Sequence, residues 1–180
     1  MTLDPSIPSH LVDAAPEDYE PRASRLLVPA LQGLRTEVWM GGVHTALGEP
    51  VGSRDVRAAW VVDCAGEMPP ALARDAGRHI PRVFADIEAV PGNLPRIRAL
   101  VEELGAALHG ADAPARVYVM CKQGLNRSGL VSALLLRALG TPSSVVLEVI
   151  RAARPGALNN VTFADLVAGE PGGARGDGQN

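Results

Sequence analysis

Two cysteines far apart in a chain of 180 residues are too few to make the disulfide framework of a small secreted domain. The four histidines show no ligand spacing, so nothing in the sequence asks for a metal or another cofactor. No apolar run reaches the roughly 20 residues that a membrane-spanning helix needs. The opening Met-Thr-Leu-Asp-Pro also lacks the basic stretch and apolar segment of a secretory signal. The expectation is a cytoplasmic protein with no membrane partner. A basic excess is missing too: 17 lysines and arginines stand against 20 aspartates and glutamates, which gives no global field to hold nucleic acid. There are no internal repeats. The length suits one domain with a sizeable core and is short for two. Heavy use of alanine, arginine, glycine and proline suggests a GC-rich bacterial or phage genome.

Against that background one segment carries chemistry. Val117-Tyr118-Val119 reads as a short strand, and Met120-Cys121-Lys122-Gln123-Gly124-Leu125-Asn126-Arg127-Ser128-Gly129 follows before an apolar helix pattern begins. A loop at a helix N-terminus turns unpaired N–H groups and the positive end of the helix dipole toward one point. The backbone from Lys122 through Ser128 can then curl into a nest for phosphate oxygens, with the Arg127 guanidinium gripping two of them. The same field favours thiolate at Cys121, with a pKa expected at roughly 3.5–7.5. Gly124 sits where a Cβ would obstruct an oxyanion, and Ser128 brings a hydroxyl near the sulfur.

At these residues the chain resembles the dual-specificity branch of the cysteine-dependent protein tyrosine phosphatases, whose signature is His-Cys-x-x-Gly-x-x-Arg-Ser/Thr. Cys121, Gly124, Arg127 and Ser128 match it, whereas Met120 replaces the histidine. Trp39-Met40-Gly41-Gly42 is similar to the strand and double glycine near the start of that catalytic domain. Arg154-Pro155, Asn160, Phe163 and Leu166 are similar to its closing segment, so the likeness covers about residues 36 to 168. The resemblance implies a phosphocysteine mechanism on phosphotyrosine or on phosphoserine and phosphothreonine, in a phosphorylated protein or another phosphomonoester. It also implies that Cys121 is less acidic, and the enzyme slower, without the histidine. Three other readings stay open. Gly124-Leu125-Asn126-Arg127 also resembles the loop of RNA 5′-triphosphatases, a phosphoinositide substrate is a second alternative, and a phosphate-binding module with little turnover is a third.

A thiolate nucleophile needs an acid to protonate the leaving group, worth roughly 10²–10⁴ in rate. Asp86 lies between an expected strand and the first long helix, where the family carries its mobile acid loop; Glu88 and then Asp55 are the weaker choices. Arg154 is expected either to touch a second phosphate or to cap its own helix. Lys122 is expected to point from the loop, drawing anions or simply solvated, and Asn160 to bond behind the loop. His44 and His79 read as surface or core residues.

Cys64 ends the strand Ala59-Trp60-Val61-Val62-Asp63. Parallel strands in one sheet end on a common edge, which Cys121 shares. A Cys-Ala-Glu-like stretch of this kind occurs in phosphoinositide phosphatases of the superfamily, where the cysteine can pair with the nucleophile. The resemblance thus implies a redox partner for Cys121, and the alternative is a small buried apolar residue.

Along the chain, residues 1–30 read as an irregular, proline-punctuated arm, 31–168 as the catalytic domain and 169–180 as a disordered tail. Strands are expected near 36–40, 58–63, 80–84 and 117–119. Helices are expected around 95–108, at 130–139 as a buried helix, from a Thr141-Pro142 cap to 153, and near 163–166. Strands alternating with helices predict an α/β fold with a central, mostly parallel sheet flanked by helices, and the phosphate-binding loop between a strand and a buried helix.

Overall fold

A computed structural model describes residues 20–89 and 91–169. Its sheet has the order β3-β1-β2-β6-β4-β5, built from β1 (Arg22–Arg25), β2 (Glu37–Gly42), β3 (Glu49–Pro50), β4 (Ala59–Asp63), β5 (Arg78–Pro81) and β6 (Arg116–Cys121). Strands β2, β6, β4 and β5 run parallel; β1 and β3 join antiparallel at one edge. The expected mostly parallel α/β sheet is therefore present. The short helices α1 (Ser53–Val56) and α2 (Pro70–Asp75) lie between strands, and the other α-helices of the described residues are α3 (Leu94–His109), α4 (Arg127–Ala138), α5 (Ser143–Ala153) and α6 (Val161–Gly169).

The two-residue period of β6 divides its side chains between two cores. Val117, Val119 and Cys121 join the larger core with residues of α3 to α6, while Tyr118 and Met120 join the smaller one with Val56, Met68 and Leu72. Met120 is completely buried there. The residue standing where the resemblance has histidine thus faces the opposite side of the sheet from Cys121. α4 is buried over most of its length, as its all-round apolar pattern requires.

Three expectations need correcting. The segment read as an irregular arm supplies β1, whose pairing with β2 makes it part of the sheet; residues 1–19 of that arm, and 170–180 of the expected tail, lie outside the described residues. The strand expected over 80–84 ends at Pro81, although Arg82 N and Phe84 N still donate to Asp63 O and Cys64 O. Thr141 does not cap α5: the N-cap is Pro142, and the buried Thr141 hydroxyl has no partner among the described residues. No helix among the described residues is long and apolar enough to cross a membrane.

Candidate active site

The parallel strands end at one edge, and β6 delivers Cys121 to it between Gly42 of β2 and the end of β4. The chain then turns through Lys122–Asn126 into α4, whose first residue is Arg127. Gly124 adopts φ +72°, and a Cβ on it would fall 2.4 Å from Gly41 C and 2.7 Å from an Arg154 Nη. Gly42 faces the loop in the same way: a Cβ there would fall 2.4 Å from Gln123 C. The double glycine of β2 therefore lets the loop lie directly on strand backbone.

Cys121 is buried, and its Sγ accepts a hydrogen bond from Gly124 N at 3.2 Å, with Ser128 Oγ 3.3 Å away. Arg127 donates through Nη1 to Phe84 O at 3.4 Å, while its buried Nε has no partner among the described residues. A buried guanidinium N–H left open can donate to an acceptor that enters the cavity it shares with Cys121. A cavity of about 250 Å³ is lined by Cys121, Lys122, Gln123, Leu125, Asn126, Arg127, Asn159 and Asp86. The expected nucleophile, arginine and first-choice acid thus share one cavity.

Asp86 stands on the connection between β5 and α3, and its loop is pinned by Phe84, whose ring meets Phe163 at 6.2 Å between centroids. The two Asp86 oxygens accept from Asn126 Nδ2 and Asn160 Nδ2, both at 3.1 Å. Asn160 also donates to Ile87 O at 2.9 Å, and its own backbone N–H reaches Asn126 Oδ1 at 3.1 Å. Asn160 thus ties the Asp86 loop to the loop between β6 and α4. Asn126, at the N-cap of α4, makes no side-chain cap and spends both ends of its amide on this bridge. Glu88 lines an adjoining cavity of about 420 Å³ with Asp86, Asn126, Asn159 and Asn160. Asp55 is removed from the choice of acid: it pairs at 3.2 Å with Arg116, at the other end of β6 from Cys121.

Arg154 stands at the C-cap of α5, as one of its two expected roles has it, with its backbone N–H donating to Ile150 O at 2.9 Å, but its side chain does something else. Its guanidinium is completely buried and spends all five N–H donors inside the protein. Nε donates to Gly124 O at 2.6 Å, the Nη1 pair to Leu47 O and Ser24 Oγ, and the Nη2 pair to Gln123 O and Thr45 Oγ1. No donor is left for a second phosphate, and the side chain has turned away from the end of α5. Burial pulls its pKa down and the nearby Cys121 charge pushes it back up. Sequence reasoning missed this underpinning of the loop; the only signal was an arginine just before a proline in the closing segment.

Asp63 was missed as well. Its buried carboxylate accepts from Ala65 N, Gly66 N and Met68 N at 2.8–3.1 Å, which folds residues 64–68 into a fixed turn. An aspartate followed by Ala-Gly two residues on is the signal that could have found it. His79 lies 3.8 Å from the same carboxylate, and His44 meets Glu67 at 3.2 Å. Cys64 is fully buried, donates its backbone N–H to Met120 O at 2.8 Å, and continues the β4–β6 register one step beyond the Asp63–Met120 pair. It therefore stands beside Cys121 on the same face, at the spacing of neighbouring strands, about 4.8 Å. Burial pushes the Cys64 thiol well above its usual value, and the Cys121 and Asp63 charges push the same way against Arg127.

No family model matches the chain. A stretch of 80 residues, 44% of the chain, is 35% identical to 1-deoxy-D-xylulose 5-phosphate reductoisomerase of Nostoc punctiforme, and the chain spans a fifth (20%) of that protein's length. A likeness of that extent shows neither family nor activity. Solved structures are far more informative about the fold. The Yvh1 phosphatase domain from Chaetomium thermophilum superposes with a TM-score of 0.58 at 22% identity, over 81% of this chain and 93% of that one. Kinase-associated phosphatase with its catalytic-site cysteine replaced by serine gives 0.59 at 16% identity, over 84% and 94%. TpbA of P. aeruginosa gives 0.55 at 16%, over 83% and 91%. The chain has the fold of the cysteine-dependent phosphatases.

Proposed function

We propose, starting from that fold, that the chain is a cysteine-dependent phosphomonoesterase acting on phosphotyrosine, with phosphoserine and phosphothreonine as further substrates. The observation that carries this reading is the convergence of Cys121, Arg127 and Asp86 on one cavity. Sγ attacks phosphorus as the bond to the leaving oxygen breaks, and Asp86 hands that oxygen its proton. Arg127 and the loop N–H groups hold the equatorial oxygens, whose charge persists through the transition state. In the second half Asp86 takes a proton from water, the water oxygen bonds phosphorus, and the thiolate leaves with Ser128 donating to it. No metal enters either step.

Each Asp86 oxygen accepts one amide hydrogen bond and keeps a further lone pair, so the acid can carry its proton with both contacts in place. Triphosphorylated RNA and phosphoinositides bring additional negative charge, which the Glu88 carboxylate along the adjoining cavity opposes. The test is turnover in the presence of a chelator of a small aryl phosphate, a phosphotyrosine peptide and a 5′-triphosphorylated RNA. The first two should be hydrolysed, and release from the RNA alone would replace this reading by that of an RNA triphosphatase.

The acid role has its own signature. Asp86→Asn should slow hydrolysis of a phosphoester with a poor leaving group by about 10²-fold or more, and that of an activated phenol far less. Glu88→Gln should show no such dependence. Equal losses across leaving groups for Asp86→Asn would make Asp86 a structural residue.

We also propose that Cys64 captures oxidised Cys121. Peroxide converts the Cys121 thiolate to sulfenic acid, and attack by Cys64 sulfur forms the S–S bond with loss of water. The in-register placement lies within the ~7 Å Cα separation that a disulfide tolerates. Because the Cys64 thiol is held well above its usual pKa, little of it is thiolate at neutral pH, so capture should accelerate as pH rises from about 7 toward about 9. Wild type should regain activity with a dithiol after peroxide, and Cys64→Ser should not. Full recovery of Cys64→Ser would return Cys64 to simple core packing.

A further inference from the structure

Lys122, the one lysine of the loop, has a carboxylate partner that competes with a phosphate for its charge. The turn folded around Asp63 presents Glu67 to it: Oε1 lies 3.9 Å from Lys122 Nζ, and Oε2 lies 3.2 Å from His44 Nε2. That turn is a fixed platform. Three backbone N–H groups tie it to a buried carboxylate, and Gly66 at φ +74° lies against Val83, which a Cβ would meet at 3.1 Å. The His44 backbone is tied to the loop as well, its main-chain N–H donating to Lys122 O at 2.8 Å. One carboxylate thus serves both imidazole and ammonium, and Glu67 meets the cavity through Lys122, which lines it with Asp86, while Glu88 lines the adjoining cavity. Arg127 belongs to the scissile phosphate. A second anionic group beside that phosphate finds Glu88 along the adjoining cavity and a lysine whose charge Glu67 partly offsets.

We propose that Glu67 is a specificity-determining residue: by holding Lys122 and His44 it sets the site against phosphoesters with an anionic group next to the scissile phosphate, and in favour of neutral or basic surroundings. This rests on the phosphatase reading and narrows its substrate class to phosphopeptides with basic or uncharged flanks. Glu67 touches no reacting atom and acts through Lys122, so the readout is a ratio rather than a rate.

The experiment compares two phosphotyrosine peptides that differ only in flanking aspartates and glutamates against lysines and arginines. kcat/KM is measured for wild type, Glu67→Gln, Lys122→Met and the double variant. Glu67→Gln should raise the acidic-to-basic ratio by roughly three- to fivefold, the size expected for one partly exposed charge pair. Lys122→Met in that background should abolish the gain, which is the coupling a double-mutant cycle detects. The gain should also fade in about 1 M salt, where the Debye length shrinks to about 3 Å. An unmoved ratio in Glu67→Gln, or a gain that survives Lys122→Met, overturns the inference. Peptide affinities of the same series built on Cys121→Ser give the ratio without turnover. If wild type hydrolyses neither peptide, the phosphatase reading falls, and these affinities decide the specificity claim: the predicted shift upholds it, and a flat ratio or absence of binding overturns it.

Discussion

Replacing Cys121 by serine should abolish turnover and leave phosphate binding largely intact. The cradle is made of backbone N–H groups, Arg127 and the buried supports behind the loop, none of which the substitution removes. What changes is the nucleophile: a hydroxyl of high pKa has no adjacent base to activate it, since the groups near Sγ are the Gly124 N–H and the Ser128 hydroxyl. The rate should fall by at least about 10⁴-fold, or roughly 5.5 kcal/mol in the barrier. Phosphate affinity should stay within a few-fold of wild type, because ground-state contacts are kept while a bond made only in the transition state is lost. Titration with inorganic phosphate and single-turnover assays on the same preparation separate the two. Appreciable turnover by the serine variant would remove Cys121 from its role; lost phosphate binding would place the sulfur in the cradle itself.

The second large effect belongs to a residue that never meets substrate. Arg154→Met should destabilise the fold by about 3 kcal/mol or more, since a hydrogen bond from a charged donor contributes roughly 1.5–3 kcal/mol and each buried acceptor left unpaired costs about 1–3. The arginine ties its own segment to β1 through Ser24, to the turn after β2 through Thr45 and Leu47, and to the phosphate loop through Gln123 and Gly124. Arg154→Lys should rescue little, because an ammonium offers three donors from one point and cannot reach five acceptors spread around a plane. The measurement is the urea midpoint together with phosphate affinity. Both should fall, and a variant with unchanged midpoint would show that the bonds to Arg154 are replaceable by water.

Sequence patterning revealed the parallel sheet and the loop because both depend on local signals. Apolar runs in β4 and β6, the apolar helix after the loop, and the cysteine, glycine and arginine of the loop are each readable within about ten residues. Asp86 was pointed to by the resemblance, since the family carries its acid loop between the same strand and helix, and the structure puts it on the same cavity. Other features depend on contacts distant in the chain. β1 is a four-residue strand of arginine, alanine and serine whose strand character comes from pairing with β2, not from its own pattern. Arg154 reaches Ser24 across 130 positions, and Asn160 reaches Asp86 across 74. Thr141 reads as a cap from its residue type, but tight burial at the start of α5 leaves its hydroxyl without a partner among the described residues.

The five acceptors around Arg154 are all carbonyl or hydroxyl oxygens, so its positive charge is solvated by the protein yet not cancelled by a carboxylate among them. Behind the phosphate loop there is accordingly a permanent source of positive potential that mobile ions cannot approach. Counterions weaken attraction between exposed charges, but a charge enclosed in protein is shielded far less. Phosphate capture should therefore divide into two parts as ionic strength rises: an outer component that decays with the charges of the rim, and a plateau set by the charge buried beneath the loop.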